Sequence, residues 1–193
     1  MTLECCTDVA SADWIVTSDV PWDQLVTFGP GGFAAYARLR FIPDPIRPYH
    51  EETDAEVPED HPTDDAQTAT ALRTLAAFTS TPDDWYFCVW EGSGFGELPP
   101  AVLRGPMVVV PHRRFALLRG TSADVDDWER FFDGNAPTPA FVWPADHAWC
   151  FACDVDPHWA GIGGTREAID ALLCSDLDVV SANPSQQAPA YGS

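Results

Sequence analysis

Residues 84–91 read Asp-Trp-Tyr-Phe-Cys-Val-Trp-Glu, and this block limits the possible folds more than any other stretch of the chain. Aromatic and β-branched side chains suit the pleated, packed surface of a sheet, so the block is expected to be a strand. Thr79-Ser80-Thr81-Pro82 ends the element before it, and Gly92-Ser93-Gly94-Phe95-Gly96 is expected to close it with a glycine-rich turn. Residues 33–42 set Tyr36, Arg38 and Arg40 against Ala35, Ala37, Leu39 and Phe41. That alternation has period two, which favours a strand over the competing helix. Pro43, Pro45 and Pro48 end it. Two short apolar runs, 107–110 and 115–118, flank Pro111-His112-Arg113-Arg114 and predict a hairpin with a four-residue connection. Residues 141–143 and 148–153 read as further strands.

Helices are expected at three places. Thr63 or Asp64 can cap the first, whose inner face is Leu72, Leu75, Ala76 and Phe78. Ser122 is expected to cap the second, with Val125, Trp128, Phe131 and Phe132 inward and Gly134 at its end. Thr165 caps the third, with Ile169, Leu172 and Leu173 inward. A short element is expected around Trp14-Ile15-Val16, whereas residues 20–32, with Pro21, Pro30 and three glycines, read as loop. Strands mixed with separated helices, without regular β-α alternation, predict an α+β fold: a largely antiparallel sheet with about three helices packed on it. One domain over residues 1–193 is expected, with an acidic, proline-broken loop at 44–65 and a frayed tail at 183–193.

Charge excludes some functions. Thirty Asp and Glu face ten basic residues, all Arg, for a net charge of -20. The resulting field repels nucleic acid and anionic lipid, and Arg113-Arg114 with nearby Arg119 is too small a cluster to reverse it. Residues 1–13 carry Glu4, Asp8 and Asp13 and lack the basic and apolar regions of a secretory leader. No apolar run approaches the ~20 residues needed to span a bilayer. A cytoplasmic protein with reduced cysteines is the expectation, and Cys88, Cys150, Cys153 and Cys174 lie in apolar surroundings that suit small core residues.

Several motifs carry possible chemistry. His147, Cys150, Cys153 and His158 have the ligand types zinc prefers. On a strand, however, Cys150 and Cys153 would point to opposite faces, so a core role is favoured and no metal or cofactor is expected. Gly161-Ile-Gly163-Gly164-Thr165 resembles a phosphate-cradling entry to a helix, but it lacks the Walker and dinucleotide patterns and reads as a tight turn. Asp124, Asp126 and Asp127 crowd one helix start, while Asp154 and Asp156 share a strand face near His158. Such pairs can move protons or hold a hard cation, but a solvated strand end is the simpler reading. Gly92-Ser93-Gly94 lacks the frame of a nucleophile elbow. Trp85, Trp90, Trp128, Trp143, Trp149 and Trp159 suit either a core or the lining of a cleft.

Residues 84–92, and Phe-Val-Trp-Pro-Ala-Asp-His-Ala-Trp-Cys at 141–150, resemble a group of uncharacterised actinobacterial proteins. That group carries a Trp-Phe-x-x-Trp-Glu-Gly strand and a Trp-Pro-x-Asp-x-Ala-Trp-Cys strand. The likeness extends through Gly163-Gly164-Thr165 to the Ile169–Leu173 stretch, covers about residues 33–180 apart from the acidic insert, and includes Phe33-Ala-Ala-Tyr-Ala-Arg38. It implies a shared fold and no particular activity. It also implies that Cys153 is not a family ligand, because its place is usually not Cys in the group. The all-arginine, Asp-rich usage fits such a source.

The leading functional expectation is a non-catalytic domain that binds another, basic protein through its acidic and aromatic surface, as an immunity-like or regulatory partner. No complete catalytic constellation is visible, so no catalytic residue is assigned. The first alternative is a small-molecule binder or hydrolase-like enzyme with a cleft formed by Trp143, Asp146, His147, Trp149 and Asp154. The second is zinc binding through His147, Cys150, Cys153 and His158.

Overall fold

The alternating run at 33–42 becomes a strand, Ala35–Arg40, one place in from an edge of the sheet, with Ala37 and Leu39 buried on one face and Arg38 on the other. A computed structural model describes residues 3–92, 100–132, 134 and 136–192. The glycine-rich turn expected at 92–96 therefore lies, beyond Gly92, outside the described residues. The chain opens with β1 (Glu4–Cys5), α1 (Asp13–Val16), α2 (Trp22–Phe28) and β2 (Ala35–Arg40). It continues with α3 (Asp64–Leu75), β3 (Trp85–Trp90), α4 (Pro100–Leu103) and the hairpin β4 (Met107–Val110) and β5 (Arg113–Gly120). After α5 (Trp128–Phe131) come β6 (Phe141–Pro144), β7 (Trp149–Ala152), β8 (Trp159–Gly164), α6 (Arg166–Leu173) and β9 (Val179–Ser181).

The nine strands among the described residues form one sheet in the order β1-β5-β3-β6-β7-β8-β2-β9, with β4 beside the first half of β5. Every pairing is antiparallel. The antiparallel sheet is as expected, but it is larger than the sequence suggested, and the helical segments outnumber three.

Both faces of this sheet are covered, which explains why β3, β6 and β7 read as continuous apolar runs instead of alternating with polar residues. Trp85, Phe87 and Val89 of β3, with Leu118, Phe151 and Ile162, pack under Leu72 and Leu75 of α3 and Ile169 and Leu172 of α6. On the other face Cys88, Phe115, Leu117, Phe141, Trp143 and Cys150 pack with Ile15 of α1 and Leu25 of α2.

The caps expected for the first and last of the three helices form, on α3 and α6. Thr63 Oγ1 accepts from Ala66 N at 3.3 Å, and Thr165 Oγ1 accepts from Ala168 N at 3.2 Å. The helix expected from Ser122 is instead a 3-10 turn, Ser122–Val125, followed by the short α5. Thr121, not Ser122, caps it: Asp124 Oδ2 accepts from both Thr121 N at 2.7 Å and Thr121 Oγ1 at 2.8 Å. The hairpin connection is two residues rather than four, because Arg113 already pairs with Val110 and His112 turns the chain at φ 62°.

Two readings are corrected together. Residues 20–32 contain a helix, and Gly161-Ile-Gly163-Gly164 is not a tight turn but part of buried strand β8. In α2, Pro21 stands at the N-cap and Gly29, at φ 76°, ends the helix, so the residues taken as loop punctuation are its boundaries. In β8, a Cβ on Gly161 would lie 2.1 Å from Thr27 O, and one on Gly163 would lie 2.4 Å from the Phe33 ring. The glycines are there because α2 and the chain after it lie directly on the strand.

The acidic stretch has no strand, and its one regular turn is Glu52–Asp54, with a capping box between Glu51 and Asp54. At the far end of the chain, Gly192 N donates to His50 O at 2.8 Å, and the Tyr191 hydroxyl donates to Pro43 O.

Candidate functional site

The residues expected to line one cleft are dispersed. Trp143 and Trp149 are both fully buried, but on opposite faces of the sheet: Trp143 with the α1–α2 side and Trp149 with the α3–α6 side. Trp143 stacks on Tyr86 at 5.6 Å, while Trp149 meets Trp85 edge-on at 4.7 Å.

Asp146 and His147 form the β6–β7 turn. Asp146 accepts from Thr79 Oγ1 at 2.8 Å, from Ser80 N at 2.6 Å and Oγ at 2.7 Å, and from Ala148 N at 3.1 Å. Burial pushes its carboxyl up, but these hydrogen bonds outweigh that and hold it below the usual carboxylate range. His147 adopts φ 54° and stacks on Trp14 with centroids 4.2 Å apart. Burial lowers the pKa of its imidazole against the pull of Asp146, which favours the neutral ring.

Asp154 lies at the opposite end of β7. It accepts from Arg113, whose guanidinium sits over Trp90 at 4.5 Å and Trp22 at 5.6 Å. This group therefore does structural work at two ends of a strand instead of facing one ligand.

The zinc-type residues are also apart. Cys150 belongs to the α1–α2 face, Cys153 packs against the α3–α6 core, and His158 is bonded to Asp44 at 3.0 Å. Among the described residues, no group of three or more His, Cys, Asp or Glu side chains is placed to hold a metal ion. Burial, with neighbouring carboxylates adding to it, pushes the Cys153 thiol up to about 12, and burial raises Cys150 too. Both are thiols at neutral pH, not nucleophilic thiolates.

What the fold does bring together lies at the N-terminal end of β8. Arg38 and Arg40 point from β2 to the α2 side of the sheet, and Asp44 folds back beneath them. Arg38 Nη1 and Nη2 donate to the two Asp44 oxygens at 2.8 and 2.9 Å, and Arg40 Nη1 donates at 3.1 Å. Arg38 is buried and sits under Trp159 at 5.3 Å. Burial pushes the Asp44 carboxyl up, but the hydrogen bonds from Arg38, His158 and Arg40 and the Arg38 charge hold it well below the usual range. The hub fixes His158 and Trp159 at the edge of an open groove of roughly 630 Å³.

Phe28 and Trp159, 5.1 Å apart, give the groove an aromatic side, and Tyr191 contacts the His158 ring at 4.8 Å. Asp23, Glu51, Glu52 and Asp156 bring four exposed carboxylates to the lining, which contains no Arg among the described residues. Tyr49 and Ile46, 93% and 88% exposed, project from the chain just before Glu51.

From sequence, Glu51 and Glu52 were visible only as loop charge and Trp159 only as one aromatic among several. Asp23 and Phe28 were hidden in a helix read as loop.

No protein family, no curated protein and no solved structure matches this chain. No helix among the described residues is long and apolar enough to cross a membrane.

Proposed function

We propose that the protein is a non-catalytic binding domain that receives a basic segment of another protein in the groove beside β8. The observation that carries this reading is the pairing of four exposed carboxylates with an aromatic floor formed by the mostly buried rings of Phe28 and Trp159, without an arginine or lysine among the described lining residues and with its one histidine, His158, bonded to Asp44. An arginine or lysine side chain has a place for both its parts there: the stem against the rings and the cation among the carboxylates. Exposed Tyr49 and Ile46 beside the rim supply apolar anchors of the kind that concentrate binding energy at protein interfaces. The net charge of -20 adds long-range attraction that speeds encounter with a basic partner.

The expected result is saturable binding of an arginine-rich peptide, read by fluorescence anisotropy, that weakens at least about tenfold as salt rises from low to ~0.5 M. Neutralising the groove with Asp23→Asn, Glu51→Gln, Glu52→Gln and Asp156→Asn should weaken binding strongly. The same charge change at Asp13, Asp19, Glu167 and Asp170, exposed positions outside the groove lining, should leave most of it. Equal losses from the two sets would mean that only net charge matters, and the groove would then have no special role.

A further inference from the structure

The groove beside β8 has three walls set by the packed fold and a fourth that is held by very little. Helix α2 supplies Asp23 and Phe28, the capped turn supplies Glu51 and Glu52, and the entry to β8 supplies Asp156 and Trp159. The fourth wall is Pro184 and residues 186–192. They belong to no helix or strand.

Their course follows from the sequence. After β9, Pro184 has no N–H to continue the pairing, and Asn183 turns the chain. The Asn183 side-chain oxygen accepts from Ser185 N at 3.0 Å, and its carbonyl accepts from Gln186 N at 2.9 Å. Residues 187–190 then run along the groove without a backbone hydrogen bond among the described residues. The chain is caught again at Tyr191 and Gly192. The Tyr191 hydroxyl donates to Pro43 O, and its ring lies 4.8 Å from that of His158 and 5.8 Å from that of His50. Gly192 N donates to His50 O at 2.8 Å, so close to the neighbouring chain that a Cβ would stand 3.2 Å from Tyr49 Cα.

A segment fixed at its two ends, with few bonds between them, opens at a small cost compared with the sheet. Charge gives that opening a direction. From Val179 to Gly192 the chain has no charged side chain, so this wall offers no counter-charge to the four carboxylates of the groove. A basic segment does, and it gains there what the neutral wall cannot.

We propose that residues 183–192 are a strap that holds the groove partly closed, with Tyr191 and Gly192 as its latch, and that a basic segment binds fully only when the latch is released. This rests on the assignment of the groove to a basic partner and adds a regulatory step to it. Apparent affinity falls with the fraction of molecules whose strap is shut, so breaking the latch should tighten binding. A permanent wall would behave in the opposite way, because loosening it removes contacts from the site.

The test uses the whole chain and the arginine-rich peptide, with affinity read by fluorescence anisotropy. Tyr191→Ala should bind the peptide roughly five- to tenfold more tightly than wild type, the worth of one neutral hydrogen bond released from the latch. Tyr191→Phe, which keeps the ring and loses the bond to Pro43 O, should fall between the two. Neutralising Asp23, Glu51, Glu52 and Asp156 in the Tyr191→Ala chain should remove the gain. In the wild-type chain, saturating peptide should speed hydrogen exchange of the Gly192 amide, followed by NMR, because its bond to His50 O opens.

The outcomes separate the strap from the site beneath it. Absence of peptide binding by both wild type and Tyr191→Ala would overturn the basic-partner assignment and the strap together. Binding by wild type that is equal or weaker in Tyr191→Ala would leave the assignment standing and make the segment a permanent wall. A gain that survives neutralisation of the four carboxylates, or Gly192 exchange unchanged at saturation, would also overturn the strap.

Discussion

Replacing Gly161 with alanine should cost at least about 3 kcal/mol of folding stability, whereas the same change at Gly164, three residues along the strand, should cost about 1 kcal/mol or less. The difference lies in what each new methyl group meets. At Gly161 it would lie 2.1 Å from the backbone oxygen of Thr27 and 2.6 Å from Cδ1 of Phe28. A carbonyl inside α2 cannot swing aside as a flexible side chain could. Relief requires α2 to lift from β8, which would loosen Leu25, Val26 and Phe28, all buried beneath it. Burial of each such side chain is worth about 1.5–3 kcal/mol, so partial exposure of three readily exceeds the cost of ordinary overpacking.

At Gly164 the added carbon would meet Trp149 Cβ at 3.3 Å and Ala168 Cβ at 3.6 Å, close contacts that neighbours can absorb. Gly164 has no positive φ, so its backbone accepts alanine without strain. Urea titration of the two variants checks the pair. A shift of less than about 1 kcal/mol for Gly161→Ala would mean that α2 does not lie on β8 as described. Because α2 forms one wall of the acidic groove, Gly161→Ala should also weaken binding of the arginine-rich peptide, and Gly164→Ala should not.

The same contact explains which parts of the fold could be read from sequence. Strands β2 to β7 were legible because their side chains identify them: β2 by its period-two alternation, the others by short apolar runs ended by proline or turn residues. Strand β8 was not, because Gly161 and Gly163 identify it by what is missing. Propensity counts glycine against a strand, while the tertiary contact that requires glycine lies more than 130 positions away in α2. Helix α2 was hidden by Pro21 and Gly29, which read as loop until their places at its two ends are known. These two elements, among those the sequence did not reveal, are thus two sides of one interface, and neither could be recognised without the other.

The residues expected to share a cleft lie apart for a different reason. Trp143 and Trp149 are close in sequence, yet the β6–β7 turn sets Val142 opposite Phe151 and leaves the two indoles on opposite faces. A register shift of one residue reverses every face assignment, and nothing in the local sequence fixes that register. The turn is held from outside by Thr79 and Ser80 through Asp146. Asp146, expected in a ligand site, is therefore an anchor that aligns two strands.

Asp44→Ala should destabilise the protein by about 2–4 kcal/mol at neutral pH, below the full cost of removing one partner from a buried ion pair because the Asp44 side chain is 19% exposed. Asp44 was counted with the acidic loop because its neighbours in sequence are prolines and carboxylates, but its surroundings are those of the core. Arg38, 7% exposed, gives both terminal nitrogens to it, and Arg40 and His158 converge on the same two oxygens. Without the carboxylate, the Arg38 guanidinium would remain beneath Trp159 with its main counter-charge gone. Arg40 would suffer less, since Asp178 still accepts from its Nε at 3.1 Å.

The pH dependence has a definite sign. The folded-state pKa of Asp44 lies below its unfolded value, so the folded state favours the charged form. Its contribution is fully present above the unfolded value, about pH 4, and is lost as pH falls from there through the folded pKa. Asp44→Asn, which keeps the shape and lacks the charge, should therefore be less stable than wild type throughout about pH 5 to 8. That margin should shrink as pH falls below about 4. Urea titrations at a series of pH values measure it directly. A margin that is the same at pH 3 and pH 7, or an Asp44→Ala cost below about 1 kcal/mol, would rule out an ionised hub. Glu59→Gln, an exposed acid of the same segment, should change stability by no more than about 0.5 kcal/mol at any of these pH values. The contrast separates one half-buried, paired carboxylate from the surface charge around it, which composition alone cannot do.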